Sequence, residues 1–226
     1  MVIAVSACLL GENVRYDGGN RKDSFITDEL SRYASFIPFC PEAIAFGTPR
    51  PTIRVQKDEE YKIISNKDNS DLTQELLDCS CIELNKISTK PLGGIIFKAR
   101  SPSCGLGTTP LYFKDGTIHG TTDGIFAKLC REKFPLLPMA EESGLEDKLV
   151  REDFIKHLFA YDAMEKLKSS KPAIKELIDF HNKNKFFVQE KDDTLFKELE
   201  KIIYKTLPFD DLLKHYEYIY KLAISQ

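Results

Sequence analysis

Gly94-Ile95-Ile96-Phe97-Lys98-Ala99-Arg100-Ser101-Pro102-Ser103-Cys104-Gly105 is an apolar run that stops at a loop. A short run of Ile and Phe is the pattern of a parallel strand buried on both faces, and Ser, Pro and Gly are the residues that end a strand and build a turn. A cysteine therefore falls just past a strand's carboxyl end, where open α/β sheets bind their ligands. The pattern recurs in Ile3-Ala4-Val5-Ser6-Ala7-Cys8 and in Ser35-Phe36-Ile37-Pro38-Phe39-Cys40-Pro41-Glu42. If the three strands lie side by side, Cys8, Cys40 and Cys104 converge on one edge of one sheet. Three thiolates at one point suggest a metal site.

On either side of these runs the chain alternates strands with helices. The loop Leu9-Leu10-Gly11-Glu12-Asn13-Val14-Arg15-Tyr16-Asp17-Gly18-Gly19 follows Cys8 directly, which raises the polar trio Arg15, Tyr16 and Asp17 above an ordinary turn. Residues 27–33 carry an N-cap and helix-spaced apolar residues. Glu42 beside Cys40 is either a solvated carboxylate or a general base held near a metal. Thr48-Pro49-Arg50-Pro51-Thr52-Ile53-Arg54 presents two arginines on a stretch stiffened by prolines, the pattern of an anion clamp.

Residues 60–65 read as an edge strand and 71–87 as an amphipathic helix. Its Cys79 and Cys81 point apart and cannot share an ion. Asp115-Gly116 marks a hairpin across 109–119, with His119 on its flank. A helix is expected over 125–134 and a last short strand over 136–139.

After Glu141-Glu142-Ser143-Gly144 no strand pattern remains, and helical periodicity covers 149–167, 172–188, 194–207 and 209–224. The expected architecture is α/β, a Rossmann-like sheet with flanking helices over residues 1–142, followed by a small all-α C-terminal domain over 146–226. Within the latter, Phe180-His181-Asn182-Lys183-Asn184-Lys185 is either a phosphate-contacting cluster or a solvated helix end.

At 226 residues the chain has room for both domains, and 42% hydrophobic residues supply their cores. A net charge of -3 shows no global attraction for polyanions, so a nucleic acid would need a local patch. The N-terminus lacks the basic and apolar regions of a signal peptide, and no stretch approaches the roughly 18 apolar residues of a membrane span, so a cytoplasmic protein is expected. In that compartment six cysteines are expected to be free, catalytic or metal-bound rather than paired. The C-x-x-C spacing of an ordinary zinc finger is absent.

Taken in order, Ser6-Ala7-Cys8-Leu9-Leu10-Gly11 with Val14-Arg15-Tyr16-Asp17-Gly18, Cys40-Pro41-Glu42 with Thr48-Pro49-Arg50-Pro51, and Ala99-Arg100-Ser101-Pro102-Ser103-Cys104-Gly105 resemble the thiouracil desulfidase family, TudS. Arg151-Glu152-Asp153-Phe154-Ile155, Phe159-Ala160-Tyr161 and Phe180-His181 resemble the helical domain of the fused enzymes called RudS, which remove sulfur from 4-thiouridine in tRNA.

The resemblance implies a [4Fe-4S] cluster held by Cys8, Cys40 and Cys104 alone, leaving one iron open to the thiocarbonyl sulfur of a thiolated uracil, free or in tRNA. It implies water activated by Glu42, sulfide release without net electron transfer, and Ser101 or Ser103 bonding the ring or passing a proton. Arg15, Asp17 and Arg50 would position base or phosphate. Two other readings stand beside it. One is a sulfurtransferase or hydrolase with Cys104 as nucleophile and Cys8 resolving a persulfide; the other is an RNA-binding module in which the three cysteines and His119 hold a structural zinc.

Overall fold

Residues 1–226 are described by a computed structural model. In chain order the α/β part carries β1 (Val2–Ser6), β2 (Ser35–Phe39), α1 (Pro41–Phe46), β3 (Ile53–Lys57), β4 (Tyr61–Ser65), α2 (Thr73–Ser88), β5 (Gly94–Phe97), β6 (Thr109–Tyr112), β7 (Ile118–Thr122), α3 (Ile125–Lys133) and β8 (Met139–Glu141). The first sheet runs β2-β1-β5-β8 and is parallel throughout. Its central strands are buried on both faces: Ile3, Ala4 and Val5 of β1 and Ile95, Ile96 and Phe97 of β5 have no exposed surface. Phe39 and Phe97 meet Phe126 of α3 with ring centroids 4.7 and 6.3 Å away, and each such buried ring contributes roughly 1.5–3 kcal/mol. From β1 the chain goes to β2 on one side and later to β5 on the other. The crevice of an open parallel sheet opens at that reversal.

The edge strand and hairpin do not join this sheet. They form a second one, β4-β3-β6-β7, in which β3 pairs parallel with β6 and antiparallel with β4. The sequence shows two strand classes without saying that they part: β5 is continuously apolar, while β3 alternates buried Ile53 and Val55 with the half-exposed Arg54.

Two elements differ from expectation. Residues 27–33 form a π-turn, Phe25–Glu29, and a 3-10 turn, Leu30–Arg32, in place of a regular helix. Asp23 accounts for the start, since its Oδ1 accepts from Ile26 N at 3.0 Å and its carbonyl from Thr27 Oγ1 at 3.0 Å. The last strand begins at Met139 because Pro138 has no N–H to give the ladder.

The helical part comprises α4 (Lys148–Ser169), α5 (Ile174–Lys191), α6 (Asp193–Ile203) and α7 (Phe209–Ile224). Leu177, Leu199, Ile202, Tyr216 and Tyr220 centre its core. Phe180 and His181 belong to that core. His181 Nδ1 lies 3.1 Å from Tyr216 Oη and its ring stacks on Phe196, so Phe180 and His181 face the core, and of the 180–185 cluster only the residues beyond them remain for solvent. Lys221 is buried with Glu165 and Glu217, the latter at 2.7 Å, a charge kept inside only because it is paired. By contacts, Met1–Pro135 and Met139–Arg151 form one unit, and Leu136–Pro138 and Glu152–Gln226 the other. No helix is long and apolar enough to cross a membrane.

Candidate active site

Cys8 sits in the 3-10 turn Ala7–Leu10 immediately after β1, Cys40 immediately after β2, and Cys104 in the loop after β5. All three are unpaired and line one cavity of about 510 Å³ at the carboxyl ends of their strands. The Cys104 loop is nailed to the start of α3. Ser103 O accepts from Phe126 N at 2.9 Å and from Ala127 N at 3.1 Å, and Pro102 O accepts from Ile125 N at 3.2 Å. These carbonyls satisfy N–H groups that a helix start leaves without partners. The approach is so close that a Cβ on Gly124 would lie 2.4 Å from the Ser103 carbonyl carbon. Glu141 of β8 holds the loop's far end, its Oε1 accepting from Leu106 N at 2.5 Å and Thr108 Oγ1 at 2.6 Å.

Beside the thiols, Glu42 projects from the first turn of α1. Its Oε1 accepts from Ser103 Oγ at 2.7 Å and Ser101 Oγ at 2.9 Å, and its Oε2 accepts from Arg50 Nη2 at 3.0 Å. Ser103 Oγ in turn lies 3.3 Å from Cys104 Sγ, which links the carboxylate to a thiol. Burial pushes the Cys8 thiol up to about 12, and the neighbouring Cys40 adds to the effect. Burial also holds Cys104 well above the usual thiol range, again with Cys40 contributing, and it raises Cys40 itself against the pull of the Ala43 N–H. The protein alone thus disfavours thiolates here, and a cationic occupant would offset that.

Arg15 lines the cavity, with its guanidinium 5.2 Å over the Tyr16 ring and its Nε 3.5 Å from Asp17 Oδ1. Asp17 is not a cavity residue. Its Oδ1 accepts from Gly19 N at 3.0 Å, and that N–H, which closes a turn, holds the carboxyl below the usual range. The expected arginine clamp also dissolves: Arg50 turns to Glu42 and to backbone carbonyls, while Arg54 donates to Asn66, Asn69 and Gln56. His119 lies on β7 against Phe113, outside the cavity, and no three His, Cys, Asp or Glu side chains close on a single metal ion. The zinc reading loses its fourth ligand.

No local sequence pattern marks Lys98 and Glu142 as site residues. Lys98 lines the cavity and pairs with Glu142, whose Oε2 also accepts from Ala99 N at 2.6 Å. Lys98 stood in view next to β5, but a partner 44 residues away leaves no local pattern.

A profile of 2-thiouracil desulfurases matches residues 3–142, well over half of the sequence. The chain belongs to the 2-thiouracil desulfurase family. The solved structure of a [4Fe-4S]-dependent thiouracil desulfidase, TudS, is similar to it at 29% identity and a TM-score of 0.53, over 64% of this chain and 92% of that one. A search of curated proteins gives no significant match. Every residue lining the thiol cavity falls within the segment matched to the 2-thiouracil desulfurases, whereas α4 to α7 lie beyond it.

Proposed function

We propose that the chain converts a thiolated uracil base to its oxo form, releasing sulfide without net electron transfer, with a [4Fe-4S] cluster held by Cys8, Cys40 and Cys104. The observation that carries this reading is the set of three free thiols around one cavity, beside a carboxylate bonded to two serine hydroxyls. The donor set fits the group: cysteine thiolates are the ordinary ligands of iron–sulfur clusters, and these three resist ionisation unless a cation joins them. Held by Cys8, Cys40 and Cys104 alone, the cluster would supply a soft Lewis acid for the thiocarbonyl sulfur.

The chain's own residues do the rest. Glu42 Oε1 takes the proton from a water that adds to the thiocarbonyl carbon, directly or through a serine hydroxyl. Ser101 is half-buried and open to the cavity, so it is the hydroxyl that meets the base; Ser103 is buried and holds Glu42 against Cys104. Arg15 supplies a cation at the wall for a base oxygen or a phosphate.

The finer reading, 4-thiouridine in tRNA, is supported by the helical unit. There Phe186 is 74% exposed with Lys185 5.0 Å over its ring, a surface of the kind on which bases stack. The cysteine-nucleophile reading needs a thiolate at neutral pH, and burial works against one at Cys104 and Cys8.

The test is anaerobic reconstitution followed by an absorption spectrum, an iron count, and sulfide release from 2-thiouracil, 4-thiouracil and thiolated tRNA. A brown protein with about four irons per chain that releases sulfide and the oxo base is the expected result. A colourless protein that still releases sulfide, with the base carried as a covalent adduct on Cys104, would overturn the proposal in favour of the nucleophile.

A further inference from the structure

Arg50 is buried, with its side chain 3% exposed, and its guanidinium bonds two segments of the chain at three points. Nη1 donates to Val14 O at 2.8 Å and Gly47 O at 2.9 Å, and Nη2 donates to Glu42 Oε2 at 3.0 Å. Val14 O also lies 3.9 Å from Cys40 Sγ, and Arg50 N donates to Tyr16 O at 3.0 Å. One residue therefore ties the loop after Cys8 to both ends of α1, the helix that starts at Cys40 and carries Glu42. We propose that Arg50 is a positioning residue for the desulfuration: it fixes the Glu42 carboxylate so that Oε1 faces Ser101 and Ser103. The proposal rests on Glu42 acting as the base in the reading above.

Three side-chain torsions let a glutamate swing, and a charge-assisted bond to one oxygen stops that motion and decides which oxygen faces the serines. A planar guanidinium bonds a carboxylate and two carbonyls at once at little entropic cost, whereas the single ammonium of lysine does not reproduce the fan. Removing Arg50 leaves a buried carboxylate and two carbonyls short of donors. The competing assignment is direct contact with substrate, since Arg50 lines the cavity and its Nε has no acceptor in the protein.

A double-mutant cycle on the reconstituted holoenzyme separates the two. Arg50→Ala should lower kcat roughly 10–100-fold, the cost of a misplaced catalytic group, with iron content and KM nearly unchanged. In a Glu42→Gln background the same substitution should cost little more, because the group it positions is gone. Arg50→Lys should restore only part of the loss. Guanidinium added at millimolar concentration should raise kcat of Arg50→Ala but not of Glu42→Gln. Amide exchange at residues 14–16 should quicken in Arg50→Ala, a readout independent of turnover.

If Arg50→Ala fails to fold or to hold iron, Arg50→Lys and Arg50→Gln carry the same cycle. Additive losses, or a raised KM with kcat intact, would overturn the proposal and give Arg50 to the substrate. Wild-type protein that releases no sulfide from any thiolated base would overturn the functional reading and this proposal together, so the two failures are told apart by the wild-type control.

Discussion

Glu42 shows how much of this site depends on individual side chains: one oxygen bonds two hydroxyls, the other a buried guanidinium, and the hydroxyls lead on to Cys104. The same dependence gives the cysteines distinct fates. On the proposed reading, in which these three thiolates are the whole protein ligand set, Cys8→Ala, Cys40→Ala and Cys104→Ala should each strip iron and abolish sulfide release. Cys79→Ala on α2 and Cys130→Ala on the buried side of α3 should keep both, since neither thiol lines the cavity. Iron analysis after anaerobic reconstitution decides it, and an iron-replete Cys40→Ala would remove Cys40 from the set. These cysteines were readable in the sequence because each follows an apolar strand, a signal local to its own segment. The roles of Arg50 and Lys98 were not, because their partners lie up to 36 and 44 residues away and only the fold brings them together.

The element that most constrains the site is α3, whose first N–H groups bond the loop carrying Ser103 and Cys104. Gly124→Ala should be costly, since the added methyl would meet the Ser103 backbone, which cannot swing aside as a flexible side chain would. About 1–3 kcal/mol of stability should be lost, read as a lower Tm, and reconstituted iron should leave faster as the Cys104 loop shifts; an unchanged Tm and iron off-rate would refute the tight approach.

A second element-scale prediction concerns α4. Burial, with Lys191 helping and Asp153 opposing, lowers His157 to about 4, and its Nε2 is buried without an acceptor. The unfolded chain, titrating near 6.5, binds the proton first, so this contribution is complete above about pH 6.5 and is lost as pH falls toward 4, by up to about 3 kcal/mol. Amide protection across α4 to α7, taken relative to the intrinsic exchange rate at each pH, should fall between pH 7 and pH 5, and His157→Gln should flatten that response. Elements with a strong period were legible, α7 to the residue and the hairpin by its Asp-Gly turn. The π-turn at Phe25–Glu29 was not, because the Asp23 side chain outcompetes helical periodicity there.

At the scale of the whole molecule, the thiols, Glu42, the serines and every other cavity residue fall within residues 3–142, and the four C-terminal helices contribute none of them. Acids and bases are nearly balanced along those helices, and several pair with one another: Lys166 with Asp162, Lys168 with Glu217, Lys191 with Asp153 and Lys197 with Asp193. A module of this kind offers a few phosphate contacts and a stacking surface at Phe186, not a broad positive field, so tRNA binding should fall with salt along a shallow slope, one unit in the logarithmic plot for each phosphate contact at most. A chain ending at residue 151 should therefore still bind iron and still act on free 4-thiouracil, since the site's side chains and their partners are all present. Its activity on 4-thiouridine in tRNA should drop much further. A base inside folded RNA has to be drawn out of its stack, and the energy for that comes from contacts elsewhere on the RNA. Comparing kcat/KM of the full and shortened chains on both substrates tests this directly. An equal fractional loss on each would mean that the helices only support the fold, and would point to a free base or nucleoside as the substrate.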